Sequence, residues 1–138
     1  MPDWGVSEAE ERGRPSPIAI VYVEDNAANF ALVRKILEHD GAYRVLGATT
    51  GEEGLELVER ERPALVLLDL DLPGISGIEV AARLKADEKL RDIPLVAVTA
   101  SVMKRERDAA IAAGCARFVE KPFDIHLLRD IVDEMCRD

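Results

Sequence analysis

The chain alternates five times between a short apolar run and a stretch of helical length. The runs are IAIVYV (18–23), YRVLGA (43–48), ALVLL (64–68), LVAVTA (95–100) and ARFVE (116–120). Most lack the polar alternation of a strand with one wet face, and their β-branched and aliphatic content fits strands covered on both sides. Strict β/α alternation implies right-handed crossovers that place helices on both faces of a parallel sheet. The expected fold is α/β and doubly wound. In such sheets ligands bind beyond the carboxyl ends of the strands, at the point where strand order reverses.

Helix punctuation supports this reading. Thr50-Gly-Glu-Glu53 and Ser76-Gly-Ile-Glu79 have the spacing of a capping box, in which each end of the box satisfies an orphan N–H of the first turn. Gly114 follows the alanine-rich stretch 104–113 as a left-handed helix stop. Asp124 precedes Leu127, Leu128, Ile131, Val132 and Met135 at helical spacing, which marks a final amphipathic helix.

A chain of 138 residues is long enough for one domain with its own core. Residues 1–16, rich in Gly, Pro, Ser and charge, are expected to form a disordered leader containing Trp4, and residues 17–138 the domain. With 18 basic against 27 acidic side chains and a net charge of -9, there is no basic patch to track phosphates, so direct nucleic-acid binding is not expected. Cys115 and Cys136 match neither a zinc motif nor a redox pair. His39 and His126 stand without partners at metal spacing and receive no role. No apolar run approaches the ~20 residues of a membrane span, and no signal peptide is legible, so a cytoplasmic location is expected.

The chemistry concentrates at strand ends. Glu24-Asp25 closes the first run, Asp69 the third, Thr99 the fourth and Lys121 the fifth. Any one of these has a plain structural use as turn, cap or solvated charge; together they are harder to explain that way. Three carboxylates brought to one edge repel unless a cation sits among them, and oxygen-only ligands in a half-open site favour Mg²⁺. A hydroxyl and an ammonium beside them complete a set able to share the charge of a transferring phosphoryl group, with a carboxylate oxygen attacking in line. Asp69 is the expected nucleophile, ending the central run ahead of a tight Leu72-Pro73-Gly74 turn.

Over positions 18–136 this pattern resembles the receiver domains of two-component response regulators, the CheY-like superfamily. The residues that carry the resemblance are VEDN (23–26), LLDLDLPGISG (67–77), VTAS (98–101) and EKPF (120–123), separated by 44 residues from Asp25 to Asp69, 30 to Thr99 and 22 to Lys121. The resemblance implies five parallel strands in the order 2-1-3-4-5. It implies Mg²⁺ (or Mn²⁺) held by Asp25, Asp69 and the backbone carbonyl of Asp71, with Glu24 acting largely through water, and a cis Lys121-Pro122 peptide. Thr99 and Phe118 would form the switch, the ring of Phe118 turning inward as Thr99 moves to the phosphate. A sensor histidine kinase or histidine phosphotransfer protein would be the donor. A downstream partner would read the last two helices and fifth strand, a face including Lys104, Arg105, Arg107, Phe118 and Arg129, and the protein would be a monomer or weak homodimer.

Two features depart from the commonest pattern: Phe118 stands where many receivers have Tyr, and Asp71 adds a carboxylate two residues after the acceptor. VEDNAANFALV and VTASVMKRE are similar to stand-alone receivers of the DivK kind, and no output module is expected after the final helix. Alternatives remain open. Asp69-Leu-Asp71 also resembles the nucleophile pair of haloacid-dehalogenase phosphatases, although the second acidic pair here precedes it. A degenerate receiver acting as a binding module is another. A flavodoxin-like FMN site lacks its phosphate loop, since VEDNAAN follows the first strand.

Overall fold

The computed structural model describes residues 16–100 and 103–136. The leader expected over 1–16, apart from Ser16, lies outside the described residues with Trp4, as does Ser101. Ten elements follow one another: β1 Ile18–Val23, α1 Ala27–Glu38, β2 Tyr43–Ala48, α2 Gly51–Glu61, β3 Leu65–Asp69, α3 Gly77–Ala86, β4 Leu95–Thr99, α4 Lys104–Ala112, β5 Arg117–Glu120 and α5 Ile125–Met135. All strand pairs are parallel, and the sheet order is β2-β1-β3-β4-β5.

The near-continuous apolar runs have the cause expected for them. Every residue of β3 and β4 is buried, because helices cover both faces. Strand alternation sends Val21, Val23, Val66 and Leu68 into a core with α2, α3 and α4. It sends Ile20, Tyr22, Leu65 and Leu67 to the other face, against Val33 and Leu37 of α1 and Leu128, Ile131 and Val132 of α5. Edge strand β2 shows the alternation its inner neighbours lack.

Strand limits move by about one residue from the sequence reading. The ladder extends through Asp69, which pairs with Val98, because the next amide, Leu70 N–H, donates to the Val98 carbonyl at 3.2 Å. Strand β4 ends at Thr99 and β5 begins at Arg117.

The capping boxes are half made. Thr50 and Ser76 accept from the N–H of Glu53 and Glu79 at 3.1 and 3.2 Å. The return arms go elsewhere: Glu53 accepts from Thr49 at 3.3 Å, and Glu79 pairs with Arg83 one turn on at 2.6 Å. A charged partner outbids a backbone N–H there. Asn26 caps α1 through Asn29 N–H at 2.9 Å, and Asp124 caps α5 through Leu127 N–H at 3.0 Å. Gly114 is left-handed, φ +109°, and Gly74, φ +76°, gives the turn behind Asp69 the positive φ that Pro-Gly supplies.

Candidate functional site at the carboxyl ends of the strands

Connections leave every strand at the same end of a parallel sheet, so the last residues of β1, β3, β4 and β5 meet there. Carboxylate oxygens of Glu24, Asp25 and Asp69 all lie within 4.8 Å of one another. Glu24 and Asp69 are 2% exposed, whereas Asp25 is exposed. The group is therefore anchored in the core and open on one side.

Lys121 enters from the end of β5, and its Nζ lies 2.7 Å from Glu24 Oε1 and 3.1 Å from Asp69 Oδ2. The Lys121-Pro122 peptide is cis. The Lys121 N–H donates to the Thr99 carbonyl at 2.9 Å, which brings the ends of β4 and β5 together. Thr99 is 1% exposed and follows Val98, the register partner of Asp69.

Asp71 N–H donates to Asp69 Oδ1 at 3.0 Å, folding the residue after next back onto the Asp69 carboxylate. The start of α3 then lies flush against Asp69. A Cβ on Gly77 would sit 2.3 Å from the Asp69 carbonyl oxygen. Beyond its place in the capping box, Gly77 lets the start of α3 approach the Asp69 backbone more closely than a side chain would allow.

Electrostatics separates the two buried carboxyls. Burial and the adjoining Glu24 push Asp69 up to about 6, against the Asp71 N–H and the Lys121 ammonium. Burial also raises Glu24, but its contacts with Asp69, Lys121, Tyr22 and the Asn26 N–H outweigh it and hold Glu24 well below the usual range. Burial works against the charge on Lys121, yet the two carboxylates prevail and its proton is held more tightly than usual.

Phe118 packs against the face carrying α3 and α4, with the Arg107 guanidinium 6.0 Å from its ring centroid. Arg129, expected on the same face, is turned away. It bonds Asp40 at 2.8 Å and Asp133 at 2.9 Å and lies 5.0 Å from the Tyr43 ring. The reason is its place on α5 next to α1, where two carboxylates and an aromatic face compete successfully with solvent.

Two contributors escaped the sequence reading. Tyr22 donates its phenol O–H to Glu24 Oε1 at 2.8 Å, and the Asn29 side-chain amide donates to the same oxygen at 3.3 Å. For Tyr22 the available signal is spacing: Glu24, just past the end of β1, lies one strand period after it.

The donor set fits Mg²⁺: oxygen ligands only, a buried anionic floor, and one exposed carboxylate where waters can complete an octahedron.

The family model for the response regulator receiver domain matches residues 20–133. The polar-differentiation response regulator DivK of Brucella anthropi is 39% identical over 109 residues, covering 79% of this chain and 88% of that protein. Among solved structures, the receiver domain of a sensor histidine kinase from Pseudomonas aeruginosa PAO1, with a magnesium ion coordinated in its active-site cleft, superposes with TM-score 0.80. That match has 29% identity and covers 87% of this chain and 98% of the other. A CheY-like receiver domain protein from Methanospirillum hungatei JF-1 gives TM-score 0.77 at 30% identity, covering 87% and 94%. With its fold, its acidic cluster and these likenesses in agreement, the chain belongs to the response regulator receiver domains, the signalling switches of two-component systems, and is DivK-like among them.

Proposed function

We propose that the protein accepts a phosphoryl group on Asp69 in a Mg²⁺-dependent reaction and signals the change to a partner protein. One observation carries this reading: a buried carboxylate at a strand end is approached within 3.1 Å by an ammonium and within 4.8 Å by two further carboxylates. The charges required on both sides of a phosphoryl group are thereby adjacent.

Asp25, Asp69 and the Asp71 carbonyl would hold the cation, with Glu24 contributing through water. When bound, Mg²⁺ supplies positive charge to the phosphoryl oxygens and offsets the mutual repulsion of the carboxylates. The donor is a phosphohistidine on a sensor kinase or phosphotransfer protein. An oxygen of Asp69 attacks phosphorus, the P–N bond breaks, and the imidazole departs with the electron pair of that bond. The product is an acyl phosphate. Lys121 and the Thr99 hydroxyl take up the charge on its oxygens.

The switch follows from the same residues. Thr99 moves toward the phosphate, and the Phe118 ring, half-buried beside Arg107, repacks into the space released, biasing two existing states. The receiving surface is β5 with α4 and α5, excluding Arg129.

Intact-mass measurement after incubation with a small acyl-phosphate donor tests the proposal. Wild type gains one phosphate only with Mg²⁺, and Asp69→Asn gains none. A gain that survives both that substitution and chelation refutes it. A phosphatase reading through Asp69 and Asp71 instead requires turnover of a phosphate ester, and the order of the acidic pairs disfavours it.

A further inference from the structure

Donors crowd one oxygen of Glu24. Oε1 accepts from the Tyr22 phenol at 2.8 Å and the Asn29 amide at 3.3 Å, and it lies 2.7 Å from Lys121 Nζ. Oε2 accepts from the backbone Asn26 N–H at 3.2 Å. A carboxylate oxygen has two acceptor sites. The three donors thus exceed the capacity of Oε1, while Oε2 is the less crowded oxygen toward these donors.

Tyr22 is held so that it can do this. It is fully buried, one strand period before Glu24, and its ring stacks on Phe30 with centroids 5.9 Å apart and planes at 21°. Phe30 in turn lies over Gly47, where a Cβ would come within 2.5 Å of the ring. Helix α1 and strand β2 therefore fix the aromatic pair, and the phenol is aimed along β1 at the carboxylate. An apolar side chain would fill the same volume without the donor. A hydroxyl placed in a core has to find a partner, and here that partner belongs to the acidic cluster.

We propose that Tyr22 is a positioning residue for the cation site, its phenol O–H fixing Glu24 through Oε1 so that Oε2 remains the acceptor offered to a divalent cation or to the water it carries. This rests on the functional reading above. Tyr22 itself touches neither cation nor phosphate. Its effect is exerted wholly through Glu24, as partners behind a metal's ligands commonly act.

Calorimetric titration with Mg²⁺ of the full chain and its variants separates this role from simple packing. Tyr22→Phe keeps the ring and its stacking but removes the donor, and weakens Mg²⁺ binding by about tenfold. In a Glu24→Gln background the same change moves affinity less than twofold, because the residue it acts through is already altered. Tyr43→Phe, which removes a phenol bonded to Asp133, leaves affinity unchanged.

In the unaltered protein, NMR with added Mg²⁺ shifts the Tyr22 ring signals and leaves those of Tyr43 in place; this arm decides the matter if a variant misfolds or binds too weakly to titrate. Wild-type affinity in Tyr22→Phe, equal losses in both backgrounds, or unmoved Tyr22 signals would overturn the role of Tyr22 while leaving the cation site standing. No Mg²⁺ binding by wild type would overturn the functional reading and this inference with it.

Discussion

Replacing Gly77 by alanine drives a methyl group into the backbone of the proposed acceptor residue. The new Cβ would lie 2.3 Å from the Asp69 carbonyl oxygen and 2.7 Å from Leu70 Cα, where ordinary contact begins at 3.4 Å. Either α3 retreats by about 1 Å or the Asp69–Leu70 peptide does; no rotamer relieves a clash with backbone. Retreat also stretches the Gly77 N–H bond to the Leu70 carbonyl, already 3.3 Å.

Alanine recovers about 1 kcal/mol of helix propensity, while overpacking costs about 1–3 kcal/mol, so a net loss of up to about 2 kcal/mol is expected in urea denaturation. The chemical cost is larger. A misplacement of about 1 Å at a reacting group can lower a rate by about 10²-fold, so uptake of phosphate mass from an acyl-phosphate donor should slow by about tenfold to a hundredfold. A Gly77→Ala protein as stable as wild type and phosphorylated within twofold of its rate would refute the reasoning.

Lys121→Ala should destabilise the protein by about 2–3 kcal/mol in chelator, because Glu24 and Asp69 lose the cation between them. Millimolar Mg²⁺ should restore most of that loss, and equal losses with and without the metal would contradict the assignment. The same variant should still take up some phosphate while the NMR response near Phe118 weakens; an unweakened response would remove Lys121 from the switch. Acid should weaken Mg²⁺ binding. With Asp69 pushed up to about 6 by burial and Glu24, a cation must displace a proton below that pH. Affinity then falls as pH drops from 7 to 5, approaching about tenfold per unit at the acid end. Glu24, held low, stays ionised across this window, and a flat profile in calorimetry would show that Asp69 does not bear the proton.

Strand ends were legible because four of them carry chemically complementary residues, and apolar runs without polar alternation can be satisfied only by a sheet covered twice. The identity of the cluster needed no distance information: parallel topology alone brings Glu24, Asp25, Asp69 and Lys121 to one edge. Tyr22 was not legible by the same means. Inside IVYV an aromatic reads as core, and only the pairing of its phenol with a carboxylate two residues on distinguishes it. In sequence Gly77 reads as punctuation, because close approach of a helix start to the end of the preceding strand is a tertiary fact. The partners of Arg129 are not legible in sequence either. Its helical position is periodic, but its partners Asp40 and Tyr43 come from a connection and a strand nearly ninety residues earlier.

On the proposed function Asp69, and no neighbouring carboxylate, would carry the phosphoryl group. Borohydride reduces an acyl phosphate to the alcohol, so peptide mass spectrometry after treatment with donor, Mg²⁺ and borohydride reads the site directly. Homoserine is expected at position 69; homoserine at 24, 25 or 71 instead, or at none, would contradict the assignment of Asp69.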